Sequence, residues 1–305
     1  MLHFIQMVGI PGSGKSSKAE KLAKEYDAVL LASDRIRSEL FGDASDQTDN
    51  NRVFSEMLKR TKEALESGKS VVYDATNISH KRRRVLLQQL KAHYEIIATA
   101  VVMATPINMC IDRQKERERI VGDDVIIRMA KSFYIPYWYE GWDDIQICYP
   151  KDNEQYMKDL YREDLDGMIN HTSPMYDFNQ HNPHHKLSLG EHMYKCYEIC
   201  CKRTEDESIR EAALLHDVGK VMTQEFEEDG MTAHYLQHHH ISAYLSLFER
   251  NACESHILRR AVFIQWHMSP YLWKEQKTFD KYHNLFGDAF YDNLMMLHEC
   301  DKEAH

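Results

Sequence analysis

The sequence predicts an α/β domain with a parallel sheet, followed by an all-α domain. In residues 1–150, short β-branched and apolar runs alternate with segments of helical periodicity, which is the pattern of βαβ units. After Pro150 the strand-like runs stop, and from Ser188 onward nearly every segment has helical periodicity. The composition changes at the same place, because all but three of the 18 histidines, and the whole negative net charge of −10, lie after residue 150.

Five apolar runs are the predicted strands of the first domain. Residues 2–8 (LHFIQMV) lead into a glycine-rich stretch, and the helical segment KSSKAEKLAKEYD follows it at residues 15–27. Alternating strands and helices favour a parallel sheet covered on both faces. The other predicted strands are residues 28–32, 70–74, 94–103 and 145–149.

Segment 151–185 is polar and ends among turn-forming residues (NQHNPHHK), which predicts a linker or a lead-in to the helical domain. The predicted domains are therefore residues 1–150, 151–185 and 186–305. The predicted helices of the last domain are residues 189–203, 207–218, 236–250, 254–268 and 287–304.

Bulk composition predicts a cytoplasmic protein without a membrane segment. No apolar run approaches the ~18 residues of a membrane span, and the first ten residues lack a basic region and a cleavage site. Seven cysteines without a CxxC pair favour reduced thiols. The acidic, histidine-rich second half disfavours attraction of nucleic acid by net charge and suits divalent cations.

The stretch GIPGSGKS, residues 9–16, satisfies the phosphate-loop pattern G-x-x-x-x-G-K-[ST] between a predicted strand and a predicted helix. Backbone amides and the helix N-terminus would hold phosphate oxygens, Lys15 would reach the β- and γ-phosphates, and Ser16 would bind Mg²⁺. Asp74 ends the strand at 70–74 and either contacts Mg²⁺ or its water or caps the next turn. The predicted residues for ATP and Mg²⁺ are Gly9, Gly12, Ser13, Gly14, Lys15, Ser16, Ser17 and Asp74.

A candidate acceptor site follows the second strand. Asp34 is placed at the carboxyl edge of the sheet, where it could take a proton from an attacking hydroxyl, and Arg37 could hold an anionic group of the acceptor. The alternative is that Asp34 only caps a helix. Arg113 and Arg117, four residues apart on one helix face, could close over the transferring phosphoryl group, or could belong to a salt-bridged surface helix.

The basic run Lys81–Arg84 occupies the predicted first turn of a helix, where the helix dipole disfavours positive charge. Bound phosphates would justify such a cluster. A solvated basic face is the equal alternative.

Residues 1–150 resemble the 5′-hydroxyl polynucleotide kinases and related P-loop kinases. The resemblance rests on the phosphate loop and on SDRIR, VVYDATNISHKRR, IDRQKERERI and IPYWYEGWDDIQI, which occur in the family's order. It implies that Asp34 is the general base, that Arg37 engages a phosphate at the acceptor end, and that Arg113 and Arg117 are the lid arginines, with Arg119 as a substitute for one of them.

The second half contains histidines and aspartates on or at the ends of several predicted helices. One His-Asp pair is weak evidence, but convergent histidines and carboxylates from several helices would form a metal site in a bundle core. A hydrogen-bonded core histidine is the alternative at each position. The candidate ligands are His192, His216, Asp217, His238, His267 and Asp301.

The order H…HD…H…H…D resembles that of the HD-domain metal-dependent phosphohydrolases over residues 165–305. The resemblance implies that one metal is held by His192, His216, Asp217 and Asp301, and that His238 and His267 complete a second site. Among the three histidines at 238–240, His238 fits the family pattern. Lys220 would offer positive charge to a substrate phosphate, and His185 is a further candidate for substrate contact.

These observations predict a bifunctional enzyme that heals nucleic-acid ends, RNA being favoured over DNA. The first domain would phosphorylate 5′-OH ends with ATP and Mg²⁺. The HD domain, with one or two divalent transition-metal ions that lower the pKa of bound water to about 7, would remove a 3′-phosphate or open a 2′,3′-cyclic phosphate. A ligase would act downstream. The alternatives are a small-molecule or nucleoside kinase fused to a nucleotide phosphohydrolase, and an ATP-switched RNA-binding or nucleotide-sensing module.

Overall fold

The chain forms two compact units in a computed structural model. The first unit comprises Met1–Met129 and Pro136–Asn153, and the second comprises Ala130–Ile135 and Glu154–His305. No helix in the part of the chain that is described has the length and apolar character needed to cross a membrane. The described residues are 1–116, 120–151, 167–168, 170–171, 173, 175–182, 186–250 and 252–305.

A five-stranded parallel sheet forms the centre of the first unit. Its strands are β1 (Leu2–Val8), β2 (Val29–Ala32), β3 (Val71–Asp74), β4 (Ile96–Met103) and β5 (Asp144–Cys148). Their order across the sheet is β2-β3-β1-β4-β5, with Leu2 opposite Ile96 and Phe4 opposite Val71. Strands β1 and β4 are mostly buried. Their largely apolar sequences are those expected of strands in a sheet that is covered on both faces.

The five predicted strands are confirmed, with bounds that shift by one or two residues at some ends. Because all strands run parallel, the chain segments that follow β1, β2 and β3 leave the sheet at one edge, where open α/β sheets bind ligands. In the described residues, six α-helices and a short 3-10 helix (Trp138–Glu140) connect the strands; the α-helices are α1 (Lys15–Glu25), α2 (Ser33–Phe41), α3 (Asn50–Glu66), α4 (His80–Lys91), α5 (Ile107–Lys115) and α6 (Asp123–Ala130).

The second unit is helical, as predicted. Its described helices are α7 (Leu189–Cys201), α8 (Glu207–Leu215), α9 (Lys220–Thr223), α10 (His238–Ser246), α11 (Glu254–Trp266), α12 (Ser269–Leu272), α13 (Gln276–Phe286) and α14 (Asp288–Ala304). Helix α7 packs on α8 and α14, and α11 packs on α8 and α10. The expectation that strands stop after Pro150 is wrong in one place, because β6 (Glu225–Phe226) and β7 (Ala233–His234) form a short antiparallel pair.

Residues 130–135, called the strap below, belong to the second unit although the chain on both sides belongs to the first. The ring of Tyr134 meets that of His240 edge to face, with centroids 4.4 Å apart. The amide of Ile135 donates to Oε1 of Gln265 over 2.6 Å. A single boundary at residue 150 would assign the strap to the first unit.

Candidate functional site

The glycine-rich loop has the backbone geometry of a phosphate cradle. Gly12 and Gly14 have φ values of 83° and 86°, in the left-handed region that glycine adopts without strain. A Cβ atom on Gly12 would clash with the carbonyl oxygen of Cys110. Helix α1 begins at Lys15 without a side-chain cap, so its N-terminus can attract an anion. The remaining predicted loop residues are Gly9, at the end of β1, Ser13, which is buried, and Ser17, which is exposed in α1.

Lys15, Ser16 and Asp74 meet beside this loop. Nζ of Lys15 donates to the carbonyl oxygen of Ile10 over 2.8 Å, and the Ser16 side chain is hydrogen-bonded to the Asp74 carboxylate. Asp74 is 6% exposed at the end of β3. Burial raises the pKa of Asp74, although Lys15 and Ser16 act in the opposite direction. This set of a hydroxyl and a carboxylate fits Mg²⁺, which prefers oxygen ligands.

Arg113 also lies at the phosphate loop. Its Nη1 atom is 3.5 Å from the carbonyl oxygen of Gly12, and it would lie 3.6 Å from a Cβ atom at Gly14. A guanidinium at this place can neutralise a phosphoryl group held by the loop. The other predicted lid positions, Arg117 and Arg119, lie outside the described residues.

Asp34 and Arg37 form an ion pair in α2. Nη1 of Arg37 lies 2.9 Å from Oδ1 of Asp34, and Nη2 donates to Oδ1 of Asn50 over 2.7 Å. The Asp34 side chain is 67% exposed, whereas that of Arg37 is 6% exposed. The N-cap of α2 is Ala32, so Asp34 does not serve as the cap. The buried guanidinium of Arg37 holds the exposed carboxylate of Asp34 in place. The sequence predicted neither this role of Arg37 nor the contribution of Asn50.

The basic run at 81–84 divides between two environments. Lys81 and Arg82 are exposed at the start of α4, but Arg83 is fully buried. The guanidinium of Arg83 donates to both oxygens of Glu140 over 2.6 Å and 2.8 Å, and Trp142 donates to the same carboxylate over 3.1 Å. Arg83 therefore stabilises the packing of α4 against the segment that contains Glu140. Because it is buried, it cannot belong to an exposed phosphate-binding face.

The six predicted metal ligands lie in one cluster in the second unit. His192 comes from α7, His238 from the start of α10 and Asp301 from α14. His216 and Asp217 directly follow α8, because its apolar run ends at Leu215, and His267 directly follows α11. No member of the cluster is more than 6% exposed.

Asp217 connects two halves of this cluster. In subsite A, Nε2 of His216 lies 3.4 Å from Oδ2 of Asp217 and 3.4 Å from Oδ1 of Asp301, and Nε2 of His192 lies 3.1 Å from Oδ1 of Asp301. In subsite B, Oδ1 of Asp217 lies 3.0 Å from Nε2 of His238 and 3.6 Å from Nε2 of His267. The potential ligand atoms of His192, His216 and Asp217, and those of Asp217, His238 and His267, fall within 4.8 Å of one another. The geometry suits one or two divalent ions.

Several polar atoms in the cluster fit this interpretation. Nε2 of His238 and His267, and Oδ1 of Asp217 and Asp301, are buried and make no hydrogen bond of acceptable geometry among the described residues. Buried polar atoms without hydrogen bonds are costly and require an explanation. A metal ion bound between these nitrogen and oxygen atoms would explain why they lack hydrogen bonds. Divalent transition metals accept such a mixed set of nitrogen and oxygen donors.

Backbone carbonyls orient three of the rings. Nδ1 of His216, His238 and His267 lies 2.8, 2.8 and 2.6 Å from a carbonyl oxygen of the preceding turn. A proton on Nδ1 would donate to that carbonyl and leave the Nε2 lone pair directed into the cluster. Such outer contacts select the tautomer of a metal-binding histidine.

The electrostatics of the cluster favour cations. Burial opposes ionisation of Asp217, but Lys220 and His216 hold its pKa well below the usual range. Burial also opposes protonation of His216, yet Asp217 and Asp301 raise the pKa of His216 to about 10. Burial lowers the pKa of His267. The carboxylates thus attract positive charge, and a bound metal ion would replace the proton on His216.

The three histidines at 238–240 have different surroundings. His238 contacts Asp217, whereas the His240 ring packs against Tyr134 of the strap. Burial lowers the pKa of His240 to about 4, and burial also lowers the pKa of His239. Of the three histidines, His238 therefore joins the cluster in the described structure. His238 is also the one that the family pattern favoured.

Lys220 is buried and paired within the protein. Its Nζ atom lies 2.6 Å from Oδ2 of Asp217 and 2.8 Å from Oε1 of Gln180. A pocket of about 380 Å³ opens beside these residues and reaches Asp217 and Asp301. Other residues that line it are Asn182, His234, Tyr235, Tyr271 and His305.

Sequence reasoning missed three residues of this site. Tyr271 donates to Oδ2 of Asp301 over 3.0 Å, and Nε2 of His305 lies 3.8 Å from Oδ1 of Asp301. Each follows a predicted ligand by four residues, so one-turn spacing was an available signal. Gln180 had no such signal, since it lies in the polar lead-in segment, and His185 of that segment falls outside the described residues.

Two family models match the chain. Residues 4–136 match the AAA domain family and residues 189–301 match the HD domain family. The first match includes most of β1 and all of β2 to β4, and the second includes all six residues of the histidine and aspartate cluster, so the chain contains a P-loop kinase-type α/β domain and a helical HD domain.

Known proteins are similar to about half of the chain. L-seryl-tRNA(Sec) kinase of Methanococcus maripaludis is 31% identical over 144 residues, which cover 46% of this chain and 55% of that protein. Transcription factor bHLH140 of Arabidopsis thaliana is 27% identical over 154 residues, covering 48% of this chain and 16% of that protein. The chain therefore spans about half of the first relative and a small part of the second.

One similar solved structure is the Pnkp1/Rnl/Hen1 RNA repair complex. It is 20% identical to this chain, with a TM-score of 0.39, and the match covers 43% of each chain.

Proposed function

We propose that this chain, in which a P-loop kinase-type domain precedes an HD domain, is a bifunctional enzyme that heals nucleic-acid ends. The first domain phosphorylates a 5′-OH end with ATP and Mg²⁺, and the second removes a 3′-phosphate or opens a 2′,3′-cyclic phosphate. The observation that carries the proposal is the presence in one chain of a phosphate loop with an exposed carboxylate, Asp34, on the helix after β2, and a cluster of six buried side chains that could hold a metal ion.

Asp34 is the proposed general base of the kinase reaction. Its exposed carboxylate accepts the proton of the acceptor hydroxyl as the hydroxyl oxygen bonds to the γ-phosphorus of ATP and the bond from that phosphorus to the ADP oxygen breaks. The buried guanidinium of Arg37 orients the Asp34 carboxylate through their ion pair. Lys15 and Arg113, both at the phosphate loop, neutralise charge on the transferring group.

The HD domain is the proposed phosphohydrolase. Divalent ions held by His192, His216, Asp217, His238, His267 and Asp301 would polarise the substrate phosphate and provide a nucleophile at neutral pH. The protein itself orients the ligands through the backbone carbonyls behind the histidines and through Lys220, which holds Asp217. The adjoining pocket of about 380 Å³ admits a terminal nucleotide.

Two observations support RNA as the carrier of both ends. Lys81 and Arg82 are exposed at the start of α4, where a phosphate would relieve their unfavourable position on the helix dipole. The name of the relative from Methanococcus maripaludis describes a kinase of seryl-tRNA, whose acceptor is attached to RNA. The products, a 5′-phosphate and a 3′-OH, are the ends that a ligase joins.

Parallel assays test the proposal. Labelled oligoribonucleotides and oligodeoxyribonucleotides with 5′-OH ends, and free nucleosides, are incubated with ATP and Mg²⁺, and oligonucleotides with 3′-phosphate or 2′,3′-cyclic phosphate ends are incubated with Mn²⁺, Ni²⁺, Co²⁺ or Zn²⁺. We expect phosphate transfer to the oligoribonucleotide and loss of its 3′-end phosphate. An absence of turnover with every 5′-OH oligonucleotide would refute end healing.

The size of the HD pocket is equally compatible with a second candidate function. A pocket of about 380 Å³ also suits a free nucleotide, so the chain could be a small-molecule or nucleoside kinase fused to a nucleotide phosphohydrolase. Turnover of nucleosides and nucleotides, without turnover of oligonucleotides, would support this candidate. ATP-dependent RNA binding without any phosphate transfer would instead indicate a switch or sensing module.

A further inference from the structure

Gln180 is buried next to Lys220, which contacts Asp217 of the predicted metal cluster. Hydrogen bonds fix the orientation of its side-chain amide. Gln180 is 2% exposed, its Oε1 atom accepts from Nζ of Lys220 over 2.8 Å, and its Nε2 atom donates to the carbonyl oxygen of Leu187 over 3.2 Å. An ammonium group only donates and the Leu187 carbonyl only accepts, so the amide fits in one orientation. The hydroxyl of Tyr235 donates to the backbone carbonyl of Gln180 and anchors the segment.

Lys220 needs this contact because it is almost completely buried. It is 4% exposed, and its ammonium lies between Oδ2 of Asp217, Oε1 of Gln180 and the ring face of Tyr235, 5.5 Å from the ring centroid. A buried ammonium that loses a hydrogen-bond acceptor carries a large desolvation penalty and moves toward other acceptors. Movement of Lys220 would release the Asp217 carboxylate that it contacts.

Asp217 is the side chain on which both metal subsites depend. Oδ1 faces His238 and His267, and Oδ2 faces His192 and His216 as well as Lys220. The direction of this carboxylate thus determines whether both subsites are formed together. Outer contacts of this kind typically alter metal affinity by about 10- to 100-fold.

We infer that Gln180 is a positioning residue of the metal centre, which acts through Lys220 to hold the Asp217 carboxylate between the two subsites. The inference rests on the proposed metal-dependent function of the HD domain. In the described part of the chain, the hydrogen bonds of the Gln180 side chain go to Lys220 and Leu187 rather than to a predicted ligand, and no motif in the sequence distinguishes Gln180.

Mn²⁺ binding to the full chain, measured by calorimetry or by electron paramagnetic resonance, tests this role without any nucleic acid. Gln180→Met keeps the side-chain length and removes the acceptor, so we expect a 10- to 100-fold loss of Mn²⁺ affinity. Gln180→Glu keeps an oxygen acceptor for Lys220, and it should retain more affinity than Gln180→Met. Gln276→Met is the matched control, because Gln276 is exposed on α13 and its side chain donates to Asp280, and it should change affinity less than threefold.

A double-mutant cycle separates positioning from a merely structural role. If Gln180 acts through Lys220, Gln180→Met should have little further effect in a Lys220→Met background. An equal loss in both backgrounds would overturn the inference, as would an unchanged affinity of Gln180→Met, while the proposed function would remain intact. If the unmodified protein binds no Mn²⁺, nor Ni²⁺, Co²⁺ or Zn²⁺, the metal-dependent half of the proposed function fails and the inference fails with it. Thermal unfolding of the metal-free variants identifies any variant that fails to fold.

Discussion

Oδ1 of Asp217 lies 3.0 Å from Nε2 of His238. The other carboxylate oxygen, Oδ2, lies 3.4 Å from Nε2 of His216. A single side chain is thereby shared by two sets of histidines. The two subsites should respond differently when a ligand specific to one of them is removed and when the shared ligand is removed.

Metal stoichiometry should report this sharing. His238→Ala removes a predicted ligand of subsite B alone, so if the chain binds two ions the bound metal should fall to one. Asp217→Ala removes a ligand of both subsites, and it should abolish metal binding and phosphohydrolase activity but spare the kinase. Elemental analysis after dialysis measures the ions, with His239→Ala as the neighbouring control. If Asp217→Ala spares metal binding and hydrolysis, the bridging role is wrong.

Removal of the metal should destabilise the HD domain. The buried carboxylates of Asp217 and Asp301 both lie within 3.4 Å of His216 in subsite A, and among the described residues their partners are histidines, Lys220 and Tyr271. A ligand present at 100 times its Kd stabilises the folded state by about 2.7 kcal/mol. Thermal unfolding with and without Mn²⁺ should therefore show a higher Tm with the metal. The same comparison in Asp217→Ala should show no shift, and a shift of equal size there would place the ion elsewhere.

Loss of the Asp34 carboxylate should stop phosphate transfer. Asp34→Asn cannot take the proton of the acceptor, so kcat should fall by about 10²- to 10⁴-fold, whereas ATP binding stays near normal because Asp34 lies outside the phosphate loop. Transfer rate and ATP affinity are measured separately. Glu39→Gln, on the same helix, is the control. A large loss of ATP affinity in Asp34→Asn would indicate a structural role instead.

Arg37 and Asn50 should act together on kcat. Arg37 bridges Asp34 and Asn50, and its side chain is buried, so Arg37→Met and Asn50→Leu should both lower kcat with little change in KM for the acceptor. The role implied by the family resemblance, contact with an acceptor phosphate, predicts the opposite pattern for Arg37→Met. Steady-state kinetics with oligonucleotides of varied length decide between them, since a raised KM for Arg37→Met alone would favour direct contact.

Gly219 should be intolerant of a side chain. A Cβ atom there would lie 2.5 Å from the carbonyl oxygen of His238 and 2.6 Å from the amide nitrogen of Ser242, so α10 would have to move. Overpacking of this kind costs about 1–3 kcal/mol. Gly219→Ala should lower the free energy of unfolding by this amount and weaken metal binding through His238. Gly230→Ala, where a Cβ atom has room but the φ of 63° strains the backbone, should also lower the free energy of unfolding but leave metal binding unchanged; equal effects of both variants on binding would contradict the packing argument.

The predictable parts of the molecule are those with local sequence patterns. Apolar runs fixed the strands of the sheet, and parallel topology then placed Asp34 and Asp74 at one edge. The candidate histidines of the cluster could be found because each lies on a helix or directly after one, beside apolar residues. Strands β6 and β7 have two residues each, which is too short for any periodicity to appear.

Other features depend on partners far away in the sequence. Arg83 looks like its neighbours in a basic run, and only Glu140, 57 residues later, makes it a buried structural residue. Gln180 meets Lys220 across 40 residues. Pairings of this kind are decided by tertiary packing, and a single sequence contains no local record of them.

The strap has a consequence for how the protein can be divided. Because residues 130–135 belong to the second unit, the polypeptide crosses between the units at residues 129–130, 135–136 and 153–154. No single cleavage point separates the units intact, and a fragment starting at residue 151 lacks Tyr134 and Ile135 from its own core. Transplanting the whole second unit into another protein therefore requires a graft in two pieces, because its residues come from two separate segments of the chain.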